Sequence, residues 1–135
     1  MEKTYSLTLP SVFEEVERIP DFCDDISDEC EIDEGPAETF KLILSEAVTN
    51  AIVHGNREEP GKQVHVDVEV TSGYMSATVK DEGEGFDPDK KKDPLQAENL
   101  LDTGGRGIFL IEQFADKMEF RENGTVLYFR VDFNS

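Results

Sequence analysis

The sequence predicts a two-layer α/β sandwich, with helices packed on one face of a sheet. Two patterns carry this expectation. Val64, Val66, Val68 and Val70 alternate with His65, Asp67, Glu69 and Thr71, as in a strand buried on one face only. From about Ala37 to His54, the residues Phe40, Ile43, Leu44, Ala47, Val48, Ala51 and Ile52 recur at helical spacing and form one apolar stripe. A one-sided strand needs an apolar cover, and a one-sided helix supplies it.

The remaining elements follow in chain order. Thr4 to Leu9 alternates and is expected to be a strand closed by Pro10. Ser11 followed by Glu14 has the capping-box spacing, so a helix is expected to start there, with Val12, Val16 and Ile19 on its apolar face. Pro20 has no amide hydrogen and should kink this helix or begin a second one. That second piece carries Phe22, Cys23, Ile26 and Cys30 among many acids, of which Asp24, Asp25, Asp28 and Glu29 read as a solvated face. Glu34-Gly35-Pro36 breaks the pattern ahead of the long helix, and Gly55-Asn56 offers left-handed-capable residues to end it. Ser72-Gly73 should turn the valine strand into a hairpin with Tyr74 to Lys80. Phe86 to Thr103 has little periodicity and is longer than an ordinary connection, so a lid is expected at about 86–104. A short helix from about Gly107 to Phe114 and a hairpin around Asn123-Gly124, joining Lys117–Arg121 to Thr125–Phe133, complete one domain over 1–135.

Composition bounds the function. The chain has 135 residues, a hydrophobic share of 37% and nine phenylalanines, which suit a globular domain with a real core. Its formal net charge of −18 argues against direct nucleic-acid binding, since phosphates would be repelled over most of the surface. The plainer reading of this acidity is solubility; attraction to a basic protein partner is the functional one. Cys23 and Cys30 have no further cysteine with which to build a metal cluster, and free, partly buried thiols are expected. No apolar run approaches the roughly twenty residues that cross a bilayer, so no membrane association and a cytoplasmic, soluble chain are expected.

Three short stretches carry the chemistry: Glu46-Ala47-Val48-Thr49-Asn50, Asp81-Glu82-Gly83-Glu84-Gly85 and Gly104-Gly105-Arg106-Gly107. Helical residues four apart share a face, so Glu46, Asn50 and His54 should project together. A carboxylate and an amide placed this way offer a proton acceptor and an oxygen ligand for a hard cation such as Mg²⁺. Asp81 stands at the end of a strand-like run, and the glycines after it let backbone approach a flat ligand. The third stretch opens a helix with glycines, whose free N–H groups suit phosphates. Singly, each has a plainer explanation: a polar helix face, a turn after a strand, a loose loop. His54 reads as a helix-end hydrogen bonder, and Lys90-Lys91-Lys92 as solvated charge. Together and in this order, the three stretches favour a nucleotide site.

These stretches resemble the N, G1 and G2 boxes of the histidine-kinase-like ATPase superfamily, and Gly124-Thr125-Val126-Leu127-Tyr128-Phe129 resembles its G3 region. Within that superfamily, nearly the whole chain is similar to the small bacterial anti-sigma-factor serine kinases. The resemblance implies the Bergerat ATP-binding fold, helices on one face of a mixed, mostly antiparallel sheet, with ATP and Mg²⁺ bound between the N-box helix and the lid. It implies that Asn50 coordinates Mg²⁺, that Glu46 activates the attacking nucleophile and that Asp81 accepts a hydrogen bond from the adenine amino group. Gly83 and Gly85 would line the adenine pocket, with Thr125 near the base. Gly105 and Gly107 would contact the phosphates, with Arg106 between them as a further candidate.

The resemblance also ranks the reactions. Sensor histidine kinases carry a phospho-acceptor histidine ahead of this domain, and the residues before Glu46 contain none. The expected activity is a serine/threonine protein kinase acting on an anti-sigma-factor antagonist, in a protein that also holds a sigma factor and forms a homodimer. The competing expectation is a nucleotide-dependent protein-binding switch without kinase activity. A purely structural module would leave Asp81 and the glycine-rich stretch unexplained.

Overall fold

The computed structural model describes residues 2–83 and 111–133. Among these residues, five strands form one sheet: β1 (Lys3–Pro10), β2 (Gln63–Val70), β3 (Tyr74–Lys80), β4 (Lys117–Arg121) and β5 (Val126–Asp132), in the order β1-β2-β3-β5-β4. Every pairing among these strands is antiparallel. Helices α1 (Arg18–Cys30) and α2 (Glu34–Asn50) cover one face, and α2 continues into a single π turn over Ala51–Gly55.

Strand register explains why the core lies on one side. Leu7, Val66, Val79, Leu127 and Phe120 stand abreast across all five strands, and Tyr5, Val68, Ala77, Phe129 and Met118 form the neighbouring row. These rows meet the helical stripe: Phe40, Ile43, Leu44, Ala47, Val48, Ala51 and Ile52 are all buried, as their spacing requires. The Phe40 and Phe129 rings pack with centroids 5.2 Å apart. The opposite face is polar. Ser6 donates to Asp67 at 2.6 Å, Tyr74 donates to Glu69 at 3.0 Å, and the Arg121 guanidinium lies 4.7 Å from the Tyr128 ring centre.

Several local expectations are corrected. Ser11 caps no helix: its side chain is buried, its hydroxyl has no partner among the described residues, and its N–H extends the strand pairing to the Lys62 carbonyl at 3.1 Å. The chain instead enters a 3₁₀ turn at Phe13–Glu17, which leaves Val12 exposed rather than on an inward face. Pro20 does begin a second piece, as the third residue of α1, where its missing N–H costs no helical bond. Glu34-Gly35-Pro36 does not break α2 but forms its first turn behind the N-cap Asp33. Gly55 and Asn56 are not the left-handed pair. That conformation falls on Arg57 and Glu58, with φ of 53° and 52°. Cys23 and Cys30 are free, and burial pushes the Cys23 thiol up to about 12. No helix among the described residues is long and apolar enough to cross a membrane.

Candidate functional site

The site forms where the end of α2 meets the exit of β3. Lys80, the last residue of β3, pairs with Val126, the first of β5, so Asp81 faces the residue just before β5. Its N–H donates to the Thr125 carbonyl at 2.9 Å. Thr125 is thereby held beside Asp81 through its backbone, while its hydroxyl donates to the Glu122 carbonyl at 2.7 Å.

Asp81 is buried, with 8% of the residue exposed. Its Oδ1 accepts the Gly83 N–H at 2.9 Å, and no donor among the described residues reaches Oδ2. Burial raises its carboxyl above the ordinary aspartate value, and the Gly83 N–H and the Lys62 charge offset only part of that rise. The oxygen that no described donor reaches can accept an N–H from a ligand.

Close packing surrounds this carboxylate. A Cβ on Gly55 would collide with the Asp81 carboxyl group, and a Cβ on Gly83 would strike the Gly55 carbonyl, whose carbon lies only 2.7 Å from that position. Both positions are occupied by glycine because backbone, carboxylate and backbone are stacked in contact here. Gly55 therefore matters to the site, although in the sequence it reads as a helix stop. The only available signal was its place directly after the Asn50-to-His54 segment.

Glu46 and Asn50 lie one α-helical turn apart, both half-buried, on the last turn of α2 before the π turn. The Asn50 Nδ2 is buried and has no hydrogen-bond partner among the described residues. That uncommitted amide fits a ligand-facing role better than a helix-stabilising one. His54 falls inside the π turn, where the i, i+4 relation of an α-helix no longer holds, so the shared face with Glu46 and Asn50 stops at Asn50. Among the described residues, no group of three or more His, Cys, Asp or Glu side chains could hold a metal ion. A cation here would depend on Asn50 and on oxygens brought by the ligand. Gly85, Gly105, Arg106, Gly107 and the lid at about 86–104 lie outside the described residues.

Residues 9–131 match the family model of the histidine kinase-like ATPase domain. This chain belongs to the histidine-kinase-like ATPase family. Its sequence relatives include proteins named anti-sigma F factor. The one from Oceanobacillus iheyensis is 37% identical over 94 residues, covering 66% of this chain and 64% of that protein. The one from Geobacillus stearothermophilus is 37% identical over 96 residues, covering 67% and 66%. A third, from Halalkalibacterium halodurans, is 35% identical over 82 residues, covering 59% and 56%. The match thus spans a little under two thirds of the length of these relatives. Asp81, just after β3, and Asn50, at the end of α2, both fall within the matched residues.

Proposed function

We propose that this protein binds ATP with Mg²⁺ and acts as an anti-sigma regulatory factor, a serine/threonine protein kinase whose substrate is an anti-sigma-factor antagonist. The observation that carries the nucleotide assignment is the Asp81 carboxylate, buried against Gly55 and Gly83 with one oxygen still free of protein donors among the described residues. An adenine amino group supplies the missing donor. The anti-sigma assignment draws on the names of the relatives, and a sigma factor is accordingly the second proposed partner.

In this reading Asp81 reads the base, with Gly83 and Gly85 lining its pocket and Thr125 beside it. Asn50 holds Mg²⁺ through its amide oxygen, and Gly105, Arg106 and Gly107 meet the phosphates. A cation held there would neutralise phosphate charge. Glu46 precedes Asn50 by one turn on the same helix and has no ion pair among the described residues, so its carboxylate is available as a base. The substrate hydroxyl gives its proton to Glu46 as its oxygen bonds to the γ-phosphorus. The bond from that phosphorus to the β,γ-bridging oxygen breaks, and ADP leaves.

Single-turnover transfer from labelled ATP to a candidate antagonist, run beside an ATP binding isotherm, tests this reading. Glu46→Ala is expected to bind ATP within a few fold of wild type and to transfer about 10²–10⁴-fold more slowly. Transfer at an unchanged rate would remove Glu46 as the base. No transfer by wild type, together with partner binding that still responds to nucleotide, would show a switch instead of a kinase.

A further inference from the structure

One side chain ties the two halves of the proposed nucleotide site together, and it lies outside all three glycine- and acid-rich motifs. Asn56 is fully buried at 0% exposure, directly after the π turn. Its backbone N–H closes that turn on the Ala51 carbonyl at 2.8 Å. Its Nδ2 donates to the Gln63 carbonyl at 3.0 Å, at the first residue of β2. Its Oδ1 accepts the Glu82 N–H at 2.7 Å, one residue beyond Asp81. The Glu82 side chain returns to the same place: its Oε1 accepts the Gln63 N–H at 2.9 Å, and its Oε2 lies 3.1 Å from His65 Nε2. Gln63 is therefore gripped through its carbonyl by Asn56 and through its N–H by Glu82.

We propose that Asn56 is the positioning residue of the base subsite, with Glu82 as its second anchor, together fixing Asp81 against Gly55 for the reading of an adenine amino group. The proposal rests on the ATP reading above. Asp81 can discriminate an amino group only if its free oxygen is held within a few tenths of an ångström of the donor position. Among the described residues its own backbone is tied to Thr125 on one side alone. The Asn56 amide supplies the other side, and does so from the same segment that follows Asn50. Base and cation ends of the ligand are thus referred to a single point. Asparagine suits this role because the two ends of its amide meet a carbonyl and an N–H at once, whereas an ionised carboxylate has no donor for the carbonyl.

The test compares calorimetric affinities for ATP and inosine triphosphate, which carries a carbonyl oxygen where adenine has its amino group. Wild type is expected to prefer ATP. Asn56→Ala should narrow that preference by about five- to a hundred-fold, the range for one lost buried hydrogen bond. Glu82→Ala, at an exposed side chain, should narrow it less and keep the fold. In an Asp81→Asn background, Asn56→Ala should change the preference no further, because the group it positions is gone. A folded Asn56→Ala that weakens both nucleotides equally overturns the proposal. Where Asn56→Ala does not fold, an unchanged preference in Glu82→Ala overturns it. Wild type that binds neither nucleotide refutes the ATP reading itself. The clamp is then read without nucleotide, by amide exchange: the Glu82 N–H is protected in wild type and should lose protection in Asn56→Ala, and equal protection would refute the clamp as well.

Discussion

Asp81 bears opposite demands from stability and from binding. Burial raises its carboxyl above the ordinary value, so the folded state holds that proton more readily than the unfolded chain does. Between those two values the native state carries the extra proton, and stability falls as pH rises through the window. Above it, the protein bears a buried charge that the Gly83 N–H and Lys62 only partly satisfy. Asp81→Asn, which keeps an oxygen for the Gly83 N–H, is therefore expected to melt above wild type at neutral pH without nucleotide. The advantage should shrink at acid pH, where the wild-type carboxyl is protonated. Thermal melts at the two pH values check this, and a lower melting temperature for the variant at neutral pH would contradict it. Asp81 itself was legible in the sequence, as an acid between a strand and two glycines. Asn56 was not, because an asparagine after a glycine looks like any helix stop until its partners across the chain are seen.

At the scale of elements, the long-period patterns were legible and the junctions were not. The valine alternation and the stripe from Phe40 to Ile52 correspond to β2 and α2 because each pattern repeats often enough for burial to dominate. Ser11 shows the limit. Its capping-box spacing was satisfied in sequence, yet strand pairing to Lys62 claimed its backbone and the helix began later. The π turn has no sequence signature, so its effect on His54 could not be foreseen. Two glycines on this same helical segment separate conformational cost from contact cost. Gly35, in the first turn of α2, has open space where a Cβ would go. Gly35→Ala is expected to stabilise the protein by about 0.4–1 kcal/mol and to leave ATP affinity unchanged. Gly55→Ala places its methyl against the Asp81 carboxylate and should weaken ATP binding by at least about ten-fold, from a misplaced and mispaired buried acceptor. Denaturant unfolding and ATP titration of both variants check the pair. Equal ATP affinities would show that Gly55 serves the helix end alone.

For the whole molecule, the sheet divides the work. Its inner face is a continuous apolar surface under α1 and α2, while its outer face carries Ser6, Asp67, Glu69, Tyr74, Arg121 and Tyr128. The candidate site occupies one end of this sandwich, where α2 stops, β3 exits and β5 begins, so three elements of the core converge on Asp81. A net charge of −18 makes any binding of an anionic nucleotide depend on local donors and on a cation rather than on the overall field. The most direct measurement is a calorimetric titration of ATP with Mg²⁺ into wild type and into Asp81→Asn. Saturable binding by wild type is expected, weakened by about five- to a hundred-fold in the variant, the cost of a mispaired buried group. Equal affinities, or no binding by the folded wild type, would contradict the account.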